Sequence, residues 1–233
     1  MKPEPKIVIL TGSGISAESG IETFRAIDGT WNNHRVEEVA SPEGFLRDPS
    51  LVHDFYNARR SHLLSEEVAP NAAHFALARL EKEHHGEVVL ITQNVDDLHE
   101  RAGSKSVLHM HGELLKVRCT KCDAVSSTTQ ATTTESLCGN CGAAGSLRPN
   151  IVWFGEIPFH MDAIEQAVSQ ADVFASIGTS GLVYPAAGLY QVASANQAHT
   201  VEINLEATGS RFDEVLIGKA SEAVPDWVER ILD

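Results

Sequence analysis

The chain has 233 residues, of which 42% are hydrophobic, and a formal net charge of −14 at pH 7. A chain of this length and composition can bury one sizeable core and carry a small additional module. The acidic balance argues against a protein that wraps nucleic acid or lies on an anionic membrane. No apolar run approaches the roughly 20 residues of a membrane-spanning helix, and the few residues before Ile7 leave no room for a targeting sequence. We therefore expect a cytoplasmic protein.

Short apolar runs alternate with helical patterns along most of the chain. The predicted strands are 6–10, 87–92, 106–110, 150–154, 172–178 and 199–204, and the predicted helices lie near 50–67, 71–85, 161–170, 184–196 and 221–232. Apolar strands separated by helices are typical of a parallel sheet that is covered on both faces. The pattern predicts an α/β fold with a doubly wound, Rossmann-like parallel sheet.

Residues 115–149 interrupt the alternation. They contain all four cysteines and a tract rich in serine and threonine, 126–136, whose composition is typical of a mobile loop. We place a small zinc-binding module here, inserted in a Rossmann-like domain made of residues 1–114 and 150–233.

The cysteines form two Cys-x-x-Cys pairs, Cys119 with Cys122 and Cys138 with Cys141, and residues 123–137 lie between the pairs. This spacing predicts one zinc ion held by four thiolates. Four thiolates leave no open coordination position, so the ion would be structural. Two disulfides or free thiols are the alternatives, and a cytoplasmic location disfavours disulfides.

The first predicted strand runs directly into a glycine-rich loop. Gly12, Gly14 and Ala17 fit the turn that brings a backbone close to a dinucleotide pyrophosphate. A plain strand–helix turn is the alternative. The second strand with a terminal acid, expected about 20 residues later, is missing. Residues 22–45 are instead polar and irregular, which suggests a loop that covers a cofactor and makes an ordinary hydride-transfer dehydrogenase a poor fit.

Two further groups of polar residues indicate a binding cleft. Gln93, Asn94 and Asp96 follow one predicted strand, and His111 follows the next. A histidine at a strand end beside these groups can accept a proton near neutral pH. On the helix near 50–67, Tyr56 and Arg59 are three residues apart and so share a face, where a phenol and a guanidinium could hold a carboxylate. An ordinary solvated helix surface is the alternative for that pair.

Several motifs together closely resemble the sirtuins, the NAD-dependent protein-lysine deacylases, and most closely the bacterial class III type. These motifs are GSGIS (12–16), GIETFR (20–25), QNVD (93–96), HMHGEL (109–114), GTS (178–180) and the cysteine pairs, and they occur in the family's order and spacing. The chain departs from the commoner pattern at Ser13, Glu22, Thr23 and Val95. The resemblance extends from Lys6 to the C-terminus.

The resemblance implies the residues that would contact NAD. Those before the central cluster are Gly12, Ser13, Gly14, Ile15, Ala17, Glu18, Thr23, Phe24, Arg25 and Trp31. The central residues are Gln93, Asn94, Val95 and Asp96, which would lie around the nicotinamide and its ribose. Those in the C-terminal half are Gly178, Thr179, Ser180, Asn204, Leu205, Glu206 and Ala220.

The resemblance also implies the reaction and the substrate. The acyl oxygen of an acyl-lysine would attack the nicotinamide ribose, nicotinamide would leave, and His111 would act as general base. The products would be free lysine and O-acyl-ADP-ribose. The substrate residues would be Ala40, Tyr56, Arg59, Val152, Trp153 and Phe154, the last three lying along the substrate peptide.

The Tyr-x-x-Arg motif, with a small residue at Ala40, resembles sirtuins that remove acidic acyl groups. We therefore expect desuccinylation, and possible demalonylation, beside deacetylation. The expected partners are acyl-lysine proteins, with neither nucleic acid nor membrane, and we expect a monomer. ADP-ribosyl transfer to protein, and a zinc-ribbon interaction or DNA-binding module, are the competing functions. The last fits poorly because Lys121 is the single positive residue between Cys119 and Cys141.

Overall fold

The computed structural model describes residues 4–22, 30–31 and 34–233. The strands are β1 (Ile7–Thr11), β2 (Thr30–Trp31), β3 (His34–Arg35), β4 (Val88–Thr92), β5 (Val107–His109), β6 (Gly112–Cys119), β7 (Val125–Ser127), β8 (Leu147–Ile151), β9 (Val173–Ile177), β10 (His199–Asn204) and β11 (Glu214–Ile217). The α-helices are α1 (Val36–Val39), α2 (Pro42–Arg47), α3 (Pro49–Leu63), α4 (Ala72–Glu83), α5 (Leu98–Ala102), α6 (Met161–Ser169), α7 (Leu189–Ala195) and α8 (Ala220–Leu232).

The main sheet has six parallel strands in the order β11-β10-β9-β1-β4-β5. From β1 the chain winds outward through β4 and β5 on one side, and β9 to β11 continue on the other. The direction in which successive strands are added to the sheet therefore reverses between β1 and β9. Ligands of such sheets bind outside the carboxyl ends of the strands at this reversal. The predicted doubly wound α/β fold is confirmed.

Helices cover both faces of this sheet. Ile7 and Ile9 of β1 face one apolar cluster, to which α4 and α8 contribute, whereas Val8 and Leu10 face a second cluster with α6 and α7. All four side chains are buried. A strand that is buried on both faces needs apolar residues at successive positions, which explains the continuous run in the sequence.

The helix predictions are confirmed for α3, α4, α6, α7 and α8, with ends that differ by a few residues. The prediction that 22–45 is irregular is wrong for its last part, because α1 and α2 lie there. Ser41 caps α2 by accepting a hydrogen bond from the Gly44 amide at 2.9 Å, and Pro42 occupies the first helical position. Proline is favoured at that position because its missing N–H has no partner there in any case.

A second, antiparallel sheet of three strands has the order β7-β6-β8. The prediction that residues 150–154 return to the main sheet is wrong, because Leu147–Ile151 pairs with β6 and the chain then leaves the sheet. An apolar run predicts a buried strand but does not say which sheet the strand joins. The small sheet extends beyond 115–149 at both ends, and the division into 1–114 with 150–233 and 115–149 stays a prediction.

The tract at 126–136 is largely an irregular loop, as its composition indicated, but contacts hold part of it in place. Its first residues belong to β7, and Thr132 is buried. The Thr132 amide donates to Asn57 Oδ1 at 2.9 Å, and the Asn57 side-chain amide donates to the Thr132 carbonyl at 2.8 Å. Hydroxyl-rich sequences can be fixed by such side-chain contacts from another element, which composition alone does not reveal.

The edge strand β11 was not predicted, because its four residues follow a polar loop and are too short to give a clear pattern. Within the described ranges, no helix is both long and apolar enough to span a membrane.

Candidate active site

A cleft with a volume of about 260 Å³ lies at the carboxyl edge of the main sheet. It brings together sequence-predicted residues from the glycine-rich loop, the segment after β4, His111, the segment after β8 and the loop after β9. The predicted residues that line it are Gly12, Ser13, Ala40, Tyr56, Gln93, Asn94, Val95, Asp96, His111, Val152, Trp153, Phe154, Thr179 and Ser180.

The glycine-rich loop passes very close to the loop that follows β9. The Gly14 amide donates to the Gly178 carbonyl at 2.7 Å. A Cβ atom on Gly14 would lie 2.7 Å from the Gly178 Cα, and Gly178 has φ of +62°. Glycine is therefore required at both positions. Within this loop, Ser13–Ile15 and Ala17–Ser19 form two 3₁₀ turns.

Asn94 and Asp96 are buried and joined through Ser16. The Asn94 side-chain amide donates to the Gly12 carbonyl at 3.0 Å and lies 3.1 Å from Ser16 Oγ. Ser16 Oγ donates to Asp96 Oδ2 at 3.0 Å. Burial raises the pKa of Asp96 to about 6, although hydrogen bonds from the Leu98 amide and Ser16 partly oppose this. Ser16 was missed by the sequence reasoning, which treated the loop mainly as glycine positions.

His111 is oriented by a backbone contact. Its Nδ1 lies 3.1 Å from the Gln93 carbonyl oxygen. Because a carbonyl can only accept, the proton of the neutral ring lies on Nδ1, which leaves Nε2 as a proton acceptor. Burial lowers the pKa of His111, opposed by the Gln93 carbonyl, so the ring is neutral at pH 7. This is the arrangement that a general base requires.

Gln93 connects this group to the loop after β9. Its side-chain amide donates to Thr179 Oγ1 at 3.1 Å, and Asn204 Nδ2 donates to the Thr179 carbonyl at 2.8 Å. The remaining predicted cofactor residues lie outside the cleft lining: Gly14, Ile15, Ala17, Glu18, Gly178, Asn204, Leu205, Glu206 and Ala220. Among them, Ile15 is a core residue and Glu18 accepts hydrogen bonds from Ser221.

Five of the six predicted substrate residues line the cleft, namely Ala40, Tyr56, Val152, Trp153 and Phe154. Tyr56 is buried, and its hydroxyl accepts a hydrogen bond from the indole N–H of Trp153 at 2.9 Å. Arg59 donates to the Phe55 carbonyl at 2.9 Å and its guanidinium lies 3.3 Å from the centre of the Phe55 ring. Burial lowers the pKa of Arg59 to about 10, so it remains a cation at pH 7. Arg59 is not among the described residues that line the cleft.

The segment after β8 uses its backbone amides within the chain. The Val152 amide donates to the His111 carbonyl at 2.9 Å, and the Phe154 amide donates to the Ala40 carbonyl at 3.0 Å. A substrate peptide that pairs with this segment would therefore donate its amide groups to the carbonyl groups of the segment. That pairing stays a prediction.

Some predicted site residues lie outside the described part of the chain, and some residues that line the cleft were not predicted. Thr23, Phe24 and Arg25 lie outside the described residues, as does the side chain of Trp31. Lining residues that were not among the predicted site residues are Ser16, Ile21, Glu22, Ile151, Gly155, Glu156, Pro158, Val183 and Tyr184. For Ser16, the available signal in the sequence was its position between the predicted loop residues Ile15 and Ala17.

The four cysteine sulfur atoms lie within 4.8 Å of one another, away from the cleft lining. Amide donors surround them: the Lys121 backbone N–H lies 3.4 Å from Cys119 Sγ, and Asn140 Nδ2 lies 3.4 Å from Cys122 Sγ. Thiolates accept such bonds, and four of them suit a tetrahedral zinc ion. The residues present therefore fit the predicted structural zinc site.

Comparison with known proteins supports one family. The Sir2 family profile matches residues 12–185. The chain is 57% identical to a NAD-dependent protein deacylase of Vibrio parahaemolyticus serotype O3:K6 (strain RIMD 2210633), covering 99% of this chain and 96% of that protein. It is 55% identical to a NAD-dependent protein deacylase of Escherichia coli (strain K12), covering 98% of this chain and 83% of that protein.

A solved structure of a Sir2 homolog–NAD complex superimposes with a TM-score of 0.88 at 41% identity, covering 99% of this chain and 91% of that one. This superposition agrees with the doubly wound fold. The chain belongs to the Sir2 family.

Proposed function

We propose that this chain is an NAD-dependent protein-lysine deacylase that removes acetyl and acidic acyl groups, succinyl and malonyl among them. The observation that carries the proposal is His111, a neutral ring with Nε2 as proton acceptor, in the same cleft as Gln93, Asn94 and Asp96. The products are nicotinamide, deacylated lysine and O-acyl-ADP-ribose. Its substrates are acyl-lysine proteins, as the names of the relatives support.

The residues of the cleft fit NAD. A Cβ on Gly12 would lie 2.8 Å from the Gly178 carbonyl oxygen, so the two loops can pass this closely only with glycine there. A glycine-rich backbone of this kind also leaves room for a phosphate. When bound, NAD supplies the ADP-ribose that accepts the acyl group and the nicotinamide that leaves. Gln93 and Asn94 would contact the ribose, and Asp96 would bind the nicotinamide amide.

The chemistry of the chain itself centres on His111. Its Nε2 would accept the proton of a hydroxyl group held in the cleft, and the Gln93 carbonyl would stabilise the resulting cation through the Nδ1–H. Because burial lowers the pKa of His111, the ring stays neutral at pH values at which an ordinary histidine is already protonated. We expect the acid limb of the kcat/KM profile to have its midpoint below about pH 6.5. A midpoint at or above that value, measured with a substrate that does not titrate there, would contradict this assignment.

Acidic acyl groups would be held by Tyr56 and Arg59. Tyr56 lines the cleft, and Arg59, one turn further along α3, is a cation at neutral pH. Ala40, whose side chain ends at Cβ, leaves room for a longer acyl chain. A guanidinium and a phenol together bind a carboxylate through charge-assisted hydrogen bonds, which an acetyl group cannot make.

The remaining features complete the proposal. The four thiolates hold one structural zinc ion. The protein is a cytoplasmic monomer that binds neither nucleic acid nor membrane, and the zinc-binding module spans 115–149.

One assay tests the reaction. The protein is incubated with NAD and either acetyl-lysine or succinyl-lysine peptide, and nicotinamide and the acyl product are followed by mass. We expect acyl transfer to ADP-ribose with both peptides and its loss in His111→Ala. Arg59→Met should lower succinyl turnover relative to acetyl turnover by about tenfold or more. Label on protein without deacylation would favour ADP-ribosyl transfer, and an unchanged ratio in Arg59→Met would remove the acidic-acyl specificity.

A further inference from the structure

An ion pair lies next to Trp153, and one of its members, Glu156, itself lines the cleft. The guanidinium of Arg148, a residue with 6% of its surface exposed, donates to both carboxylate oxygens of Glu156, at 2.7 and 3.0 Å. It also donates to the Ile151 carbonyl at 2.9 Å. Two parallel bonds of this kind fix the orientation of both partners, so the pair forms a rigid support.

Trp153 is attached to this support at two points. Its backbone amide donates to Glu156 Oε2 at 2.8 Å. The Arg148 guanidinium lies 3.4 Å from the centre of its indole ring, a cation–π contact. With 2% of its surface exposed, the indole has little freedom to turn. Its N–H therefore points in a fixed direction, toward the Tyr56 hydroxyl at 2.9 Å.

The indole N–H restricts the Tyr56 hydroxyl. An indole can only donate, so it occupies a lone pair of the phenolic oxygen, and the phenolic proton must lie in another direction. Burial raises the pKa of Tyr56 far above neutrality, so the group keeps that proton at physiological pH. A phenol whose oxygen is already accepting a hydrogen bond is also a better donor, because chains of hydrogen bonds polarise one another.

We infer that Trp153 is a specificity-determining positioning residue, which directs the Tyr56 hydroxyl proton toward the carboxylate of an acidic acyl group. The inference rests on the proposed acidic-acyl activity. An acetyl group presents no carboxylate to the phenol, so the contribution of the indole N–H should fall on succinyl-lysine and not on acetyl-lysine.

The test compares kcat and KM for succinyl-lysine and acetyl-lysine peptides in five proteins: the parent, Trp153→Phe, Tyr56→Phe, the double variant and Trp227→Phe. Trp153→Phe keeps an aromatic ring and removes the N–H. We expect it to lower the ratio of succinyl to acetyl kcat/KM by about five- to tenfold, mainly through KM. Trp227, a buried tryptophan in α8, is the matched control, and its substitution should leave the ratio unchanged.

The double variant identifies the route. If Trp153 acts through the Tyr56 hydroxyl, Trp153→Phe in the Tyr56→Phe background should change the ratio by less than about twofold. An equal loss on both peptides would make Trp153 a structural residue and overturn the inference. A ratio that falls in Tyr56→Phe and not in Trp153→Phe would overturn it while the proposed function stands. If neither Tyr56→Phe nor Arg59→Met lowers the ratio, the acidic-acyl function itself is wrong, and the inference with it.

A second variant covers the case in which Trp153→Phe does not fold. Replacement of Trp153 by benzothienylalanine changes the ring N–H to sulfur and keeps the shape of the bicyclic ring. The same fall in the ratio is expected, and an unchanged ratio in the folded protein would contradict the inference.

Discussion

The two sheets of the molecule are stabilised by different means. In the main sheet, β1 is buried at every position and contributes to apolar clusters on both faces. In the small sheet, β7 is exposed at every position, and the buried cluster of the module consists of Val117, Cys119, Cys138 and Leu147. In the small sheet β8 is also buried, but the apolar cluster of the module is much smaller. The main sheet therefore depends mainly on hydrophobic burial, whereas the module depends more on its thiols and on polar contacts with α3.

The largest loss of stability should follow when the four thiols can no longer hold zinc. We expect removal of zinc by a chelator, or replacement of all four cysteines by alanine, to unfold the module, because metal binding at such sites contributes on the order of 10 kcal/mol. Hydrogen exchange should then lose protection at Val117 in β6 and retain it at Phe174 in β9. A folded, active protein without its four cysteines would contradict the zinc assignment.

A core substitution in the main sheet should act on the whole molecule. Phe174 is fully buried, and Phe174→Ala should lower the free energy of unfolding by about 3–5 kcal/mol through lost burial and a cavity. The contrasting change in the module is Val125→Ala, at an edge-strand side chain that is 51% exposed, which should cost less than about 0.5 kcal/mol. Denaturant unfolding measures both, and equal costs would mean that burial does not decide the effect of these two substitutions.

The polar connection between the module and α3 should have an intermediate effect. Buried Arg60 donates to the Leu114 carbonyl at 3.1 Å and to the Gln130 carbonyl at 3.0 Å. Arg60→Met keeps most of the volume and leaves these carbonyls without that donor, which should cost about 2–3 kcal/mol. Hydrogen exchange should rise first at 128–132.

Arg47→Met is the control for this change, since Arg47 makes one long contact of 3.4 Å to the Glu37 carbonyl at an exposed position. Its effect on unfolding should be small. Equal effects of the two substitutions would show that the Arg60 contacts do not hold the module.

The smallest effect concerns a pair at the cleft edge of the main sheet. His109 Nε2 lies 2.7 Å from Glu100 Oε1. Burial alone would lower the pKa of His109, but the hydrogen bond and charge of Glu100, with Glu113 and the Asn94 carbonyl, raise it overall. Burial would raise the pKa of Glu100, but the bond to His109 lowers it overall. Both groups are charged together in a window around pH 5–6.5.

The stability that this pair contributes should follow that window. The Glu100 part is lost as the pH falls through its lowered pKa, and the His109 part is lost as the pH rises through its raised pKa. Because the Glu100 side chain is 41% exposed, the maximum should stay below about 1 kcal/mol. The difference in unfolding free energy between the parent and His109→Gln, measured from pH 4 to 9, should therefore peak between about pH 5 and 6.5. A difference that does not vary with pH would contradict the charged pair.

The sequence predicted the main sheet well because its signals are local. The apolar run at β1, for example, is visible within five residues. The prediction from the sequence failed where tertiary contacts determine the structure. The segment 150–154 has the pattern of a buried strand, yet only the position of β6 determines which sheet it joins. Thr132 is buried because α3 presents Asn57 to it, and nothing in the tract itself indicates this.

In the candidate site, too, local signals predicted some positions and tertiary contacts determine others. The strand-end positions of Asn94, Asp96 and His111 could be predicted, because the carboxyl ends of parallel strands meet at one edge. The link of Ser16 to both Asn94 and Asp96 depends on how the 3₁₀ turns after β1 fold back, and a glycine pattern does not specify that geometry.

Helix α3 has consequences for protein engineering. One side of it carries Tyr56 at the cleft, and another side carries Asn57 and Arg60, which hold the module. A library meant to change which acyl chain is accepted would randomise positions 56 and 59 and keep 57 and 60 fixed. Variants that appear inactive after unrestricted randomisation of this helix would include many in which the module has detached, so a selection should score zinc retention together with turnover.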